Sequence, residues 1–208
     1  MSDGSLEVED LHVWRGERHV LRGVRVALAA GQCLKLTGAN GSGKTTLLRT
    51  IAALSWPEEG EVRWRGVSVR RDLRAFHADM AYLGHEPPLK ADLSAHENLR
   101  YWVGSRRRCG AGAIEGALRR VGAEGCAAQL VRTLSAGQRR RVALAGLSLL
   151  AVPLWLLDEP TTNLDADGQA LVGGMLGEHL GQGGIAIAAV HHPLPGALTG
   201  VQTLELAA

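Results

Sequence analysis

The run Gly38-Ala39-Asn40-Gly41-Ser42-Gly43-Lys44-Thr45-Thr46 constrains this 208-residue chain more than any other feature. It fits G-x-x-x-x-G-K-[ST], the phosphate-binding P-loop. Its glycines let the backbone curl so that successive N–H groups face one centre. That centre lies at the start of a helix, whose dipole favours anions. Lys44 brings a point charge to the outer phosphates, and the Thr45 hydroxyl can take a place on Mg²⁺. The alternative is a Gly-rich turn that fits by chance, since 27 glycines make chance pairs common. Lysine argues against it. The chain has three lysines (Lys35, Lys44 and Lys90) against 20 arginines. A chain so biased toward Arg that keeps Lys here uses the ammonium.

Composition narrows the partners. A net charge of +2 argues against electrostatic nucleic-acid binding, so no nucleic-acid partner is expected. Two short basic clusters remain. Arg106-Arg107-Arg108 reads as a solvated loop, and Arg139-Arg140-Arg141 as an exposed helix turn. Cys33, Cys109 and Cys126 lie far apart and form no C-x-x-C, which suits a reducing cytoplasm. The opening MSDGSLEVED is acidic and polar, so no signal peptide is expected. The uncharged, largely apolar stretch over residues 142–157 is short for a bilayer and is broken by Pro153. No membrane segment is expected.

Partial alternation over residues 6–14 and 20–28 predicts two antiparallel strands around the turn at Arg15-Gly16-Glu17. Residues 33–37 predict a buried strand feeding the loop, and 45–54 a helix stopped by Trp56-Pro57. Residues 60–66 read as a hairpin strand and 80–83 as a buried one. Between 87 and 150 no strand is evident. Ser94-Ala95-His96-Glu97 is a capping box for a helix to about residue 103; further helices are expected over 113–121 and 136–150. Strand character returns at 154–157 and 185–190, with a helix over 166–180 between them. The expectation is one domain over residues 1–208. It has an α/β P-loop core, an antiparallel β-subdomain and a helical subdomain inserted at about 87–150.

Leu154-Trp155-Leu156-Leu157-Asp158-Glu159 is an apolar strand ending in two carboxylates. Behind a P-loop, the Asp at such a strand end holds Mg²⁺, and a neighbouring carboxylate can orient and deprotonate water. Leu134-Ser135-Ala136-Gly137-Gln138 opens a helix with Ser135 as N-cap. P-loop, LSAGQ, LLDEP and a strand ending at His191, in that order, resemble the ABC-type ATPases over the whole chain. The resemblance implies ATP and Mg²⁺ as cofactors. It implies phosphate binding by residues 38–46, Mg²⁺ on Thr45 and Asp158, Glu159 as general base and His191 at the γ-phosphate. It also implies that residues 134–138 close in trans on ATP held by a second copy, with the loop at Asn163-Leu164-Asp165 facing that copy. Trp14 is the aromatic best placed to stack on adenine, with a buried strand-end Trp as the alternative.

Two departures narrow the likeness. His85 stands where the family usually has Gln, and Gly146 where many members have Arg. Imidazole suits hard Mg²⁺ less well than an amide oxygen, so His85 is expected to bond water or phosphate and to couple to a partner. The run YLGHEPPLKADLSAHENLRYW, the LSAGQRRRVALA segment and His191-His192-Pro193-Leu194 are similar to the CcmA family. These are the haem-exporter-type ATPases of bacterial cytochrome c maturation. That resemblance implies a homodimer on the cytoplasmic face of the inner membrane, with integral-membrane subunits of CcmB/CcmC type. No histidine pattern marks a haem ligand. The rival readings are the ATPase of another lipid or small-molecule exporter, and a soluble ABC protein outside transport.

Overall fold

The computed structural model describes residues 5–190 and 198–207. The chain divides into two compact units. The first holds Met1–Tyr82, Val152–Glu159 and Leu176–Ala208; the second holds Leu83–Ala151 and Pro160–Met175.

The first unit carries two sheets. β1 (Ser5–Arg15) and β2 (Arg18–Ala29) pair antiparallel; Leu6 and Val8 are buried, and an irregularity between Val8 and Leu11 lets Leu11 and Val13 be buried as well. β4 (Glu59–Trp64) and β5 (Val67–Ser68) complete the order β2-β1-β4-β5. The other sheet contains β3 (Cys33–Thr37), β6 (Met80–Leu83), β7 (Leu154–Asp158), β8 (Ile185–Ala189) and β9 (Val201–Glu205). Its order is β6-β7-β8-β3-β9, with β7, β8, β3 and β9 running parallel. β7 and β8 are buried along their full length, as their uninterrupted apolar runs require of central parallel strands. Helix α1 (Lys44–Ile51) and the short α2 (Leu73–Ala78) complete the unit, and one apolar cluster serves both sheets.

The second unit is helical. α3 (Ala95–Gly104) and α5 (Ala136–Leu150) each start at a full capping box, on Ser94 with Glu97 and on Ser135 with Gln138. α4 (Ala113–Arg120) and α3 both pack on α5. α6 (Ala166–Gly181) contributes residues to both units, dividing after Met175. Among the described residues no helix is long and apolar enough to cross a membrane.

Three features depart from the sequence expectations. α2 and β9 were not expected: six residues show too little periodicity, and β9 is an edge strand whose side chains are mostly exposed. The Arg139–Arg141 cluster is not an exposed turn, because Arg140 is only 1 % exposed. Its charge is tolerated in the interior because backbone carbonyls accept from it.

Gly146 has a packing reason. A Cβ there would collide with the indole of Trp102 and press on Leu99 Cδ2 at 3.1 Å. The Trp102 ring on α3 fills the space that a side chain on α5 would need. Gly146→Ala is therefore expected to destabilise the protein by about 1–3 kcal/mol, as overpacking does. Thermal unfolding measures this. Adding Trp102→Leu should recover most of the loss, and no recovery would refute the packing account.

Candidate functional site

Apolar β3 leads straight into the glycine-rich loop. A Cβ on Gly38 would collide with the Leu206 carbonyl, and its φ of +134° is one that L side chains rarely adopt. Gly43 caps α1 in the left-handed region, with no side-chain cap bond, so the first-turn amides keep their donor capacity. The Ser42 hydroxyl is buried and has no hydrogen-bond partner among the described residues. A hydroxyl so placed can donate to an anion seated in the loop. Lys44, 7 % exposed, donates from Nζ to the carbonyls of Gly38 (2.7 Å) and Ala39 (3.0 Å). Its ammonium is thus held over the loop. From the β1–β2 turn, Arg18 Nη2 donates to the Gly41 carbonyl at 3.1 Å.

β7 delivers the carboxylates. Asp158 is 3 % exposed, and its Oδ2 accepts from Thr45 Oγ1 at 2.8 Å, across 113 residues of sequence. A hydroxyl and a carboxylate so placed are hard oxygen donors, the set that Mg²⁺ prefers. Half-buried Tyr82 lies in the same surroundings. Burial first, then the Asp158 charge, pushes its hydroxyl up to about 12, so it stays protonated. Glu159 turns sharply out of the strand with φ of +51°, while its N–H still donates to the Ala189 carbonyl at 3.0 Å. A left-handed, non-Gly residue costs of order 1–3 kcal/mol and persists where surrounding structure enforces it, often at functional sites.

Trp14 is partly exposed on β1, so it is not a buried strand-end residue. Its ring stacks on His19 of β2, with centroids 3.8 Å apart and planes within 8°. His19 Nε2 is in turn 3.1 Å from His12 Nδ1. Neither His19 nor Arg18 was singled out from sequence. Both lie on β2 across a tight turn, His19 opposite Trp14 and Arg18 opposite Arg15, and that register is the signal that could have found them.

In the second unit, Ser135 Oγ accepts from the Gln138 N–H and the Gln138 amide oxygen from the Ser135 N–H. Leu134 is buried, while Ser135 and Ala136 are exposed. Gly137 has a structural demand on it: a Cβ would stand 2.7 Å from the Asn163 carbonyl oxygen. Asp165 Oδ1 accepts from Arg141 Nη2 at 2.7 Å and from the Gly168 N–H at 2.9 Å. The Gly168 bond first, then Arg141, holds its carboxyl below the usual range. His85 is exposed on the loop that follows β6. The expectation for His191 lies outside the described residues. The structure thus brings together Lys44, Thr45 and Asp158 in one unit, and Ser135, Gly137 and Asn163 in the other.

A model of the ABC transporter family matches residues 21–162. The chain is 49% identical to the cytochrome c biogenesis ATP-binding export protein CcmA of Methylococcus capsulatus, over 93% of this chain and 94% of the relative. It is 43% identical to the protein of the same name from Salmonella typhi, over 97% and 96% of the two chains. Among solved structures, a putative ABC transporter ATP-binding protein from Pyrococcus furiosus superposes with a TM-score of 0.84. That pair shares 27% identity and covers 97% of each chain.

Proposed function

The chain belongs to the ABC transporter family, and from that premise we propose that it is the ATP-hydrolysing subunit of a membrane complex of c-type cytochrome biogenesis, one that serves haem export or release to a haem chaperone. The observation that carries the ATPase reading is the Thr45–Asp158 hydrogen bond beside the Lys44 loop. It joins a P-loop hydroxyl to the acidic end of a buried strand, as nucleotide hydrolysis requires. The relatives named for cytochrome c biogenesis, similar across nearly the whole of both chains, support the narrower reading.

In this reading the loop amides, the Ser42 hydroxyl and Lys44 bind the phosphates of ATP. Thr45 and Asp158 hold Mg²⁺, and their oxygen donors fit it. Held there, the cation would supply positive charge to offset that of the phosphates. Glu159 orients the attacking water and takes its proton. Trp14, backed by His19, stacks on adenine. Two copies close on ATP, each presenting Ser135 to Gln138 to the other's P-loop, and reopen after hydrolysis. Their motion is delivered to integral-membrane subunits of CcmB/CcmC type, with His85 on the coupling loop. The pair sits peripherally on the cytoplasmic face of the inner membrane.

Affinity purification of the tagged chain from detergent-solubilised membranes tests this. The expected result is recovery of integral-membrane proteins needed for c-type cytochrome assembly. Recovery with an unrelated exporter, or with ribosomes or DNA, would overturn the reading.

A further inference from the structure

The fully buried charge at Arg140 is the feature that the P-loop chemistry leaves unexplained. Arg140 lies five residues after Ser135 on α5, about 7.5 Å along a helix. Its guanidinium makes two donations to consecutive carbonyls: Nη1 to Gly84 at 3.0 Å and Nη2 to His85 at 2.7 Å. The planar fork suits two neighbouring acceptors, and an ammonium would satisfy them less well.

The loop it grips is held at its far end as well. Buried Asn98 on α3 accepts from the Lys90 N–H at 2.7 Å. Its amide donates to the carbonyls of Lys90, Leu93 and Ser94 at 3.0, 3.2 and 3.0 Å. Between these two anchors, the loop and the start of α5 line one cavity of about 390 Å³, which His85, Ala136, Arg140 and Asn163 all border. Across a cavity, packing cannot force the two segments to move together. Arg140, one of the residues lining it, ties α5 to the loop by charged hydrogen bonds. The body of α5 beyond it is buried from Val142 through Leu147, so the helix is a rigid element.

We propose that Arg140 is a positioning residue that fixes the His85 backbone to α5, so that displacement of the His85 loop is delivered to Ser135–Gln138, the segment offered to the second ATP. The inference rests on the two-copy ATPase reading above and adds the link within each copy. A purely structural Arg140 would lower stability and leave that link intact.

The test uses full-length chain in which Glu159→Gln blocks turnover, with Arg140→Met or Arg140→Lys added. Three readouts are taken: affinity for a fluorescent ATP analogue, ATP-driven dimerisation by sedimentation, and hydrogen exchange at residues 85–90 and 135–138. In the Arg140-intact chain, ATP should protect both segments. In Arg140→Met, analogue affinity of the monomer should stay within about twofold, dimerisation should weaken by about tenfold, a usual size for coupling between sites, and protection at 135–138 should be lost. Arg140→Lys keeps a charge that reaches one carbonyl, so it should fall between the two. It carries the test if Arg140→Met does not fold. Joint protection and unchanged dimerisation in the folded variant would overturn the inference alone. An Arg140-intact chain that neither binds the analogue nor dimerises would overturn the ATPase reading, and the inference with it.

Discussion

Glu159→Gln is expected to leave ATP binding intact and to slow turnover by about 100- to 10,000-fold, the usual contribution of a general base. Gln keeps the shape and an acceptor oxygen but cannot take the proton from water. The backbone at Glu159 is left-handed and bonded to Ala189, so the substitution should not disturb the turn that positions it. Steady-state phosphate release measures the rate, and equilibrium titration with ATP measures binding. If two copies close on ATP as proposed above, an ATP-bound dimer should accumulate alongside the loss. Normal turnover in this variant would remove Glu159 from the mechanism.

Lys44→Ala is expected to act a step earlier, on binding. A charged hydrogen bond is worth about 1.5–3 kcal/mol, so affinity for ATP should fall by about 10- to 100-fold. The loop carbonyls of Gly38 and Ala39 would also lose the donor that now holds them. Lys44→Arg should fail as well. The Lys44 ammonium donates to two loop carbonyls, and the planar fork of a guanidinium cannot replace that compact charge. Calorimetric titration distinguishes these outcomes. Wild-type affinity in Lys44→Arg would show that the loop has more freedom than the structure gives it.

Much of the site was legible because local chemistry specifies it. The P-loop residues, the two capping boxes and the apolar β7 that ends in Asp158 each follow from short runs of sequence. Their physical requirements are local: backbone curl, satisfied helix N–H groups, and strands buried on both faces. Other features were hidden because their cause lies elsewhere in the chain. Gly38 answers to Leu206, Gly137 to Asn163 and Gly146 to Trp102, and none of these neighbours is close in sequence. β9 escaped notice because exposed edge strands have no apolar signature. Trp14 could be named from sequence only as a candidate adenine platform, and its ring contact with His19 could not be named at all.

The sequence by itself determined which residue types stand together: a glycine-rich loop with Lys44, an acidic strand end at Asp158–Glu159 and a capped helix at Ser135. Those are short-range patterns of residue type, and the reaction depends on residue type. The tertiary structure alone decided which groups meet. It set Thr45 against Asp158, and it buried Arg140 beneath the carbonyls of Gly84 and His85. The same arginine reads as a surface charge in a basic triplet and is an interior anchor in the fold. Burial and partners are properties of packing between distant segments, and no window of sequence contains them.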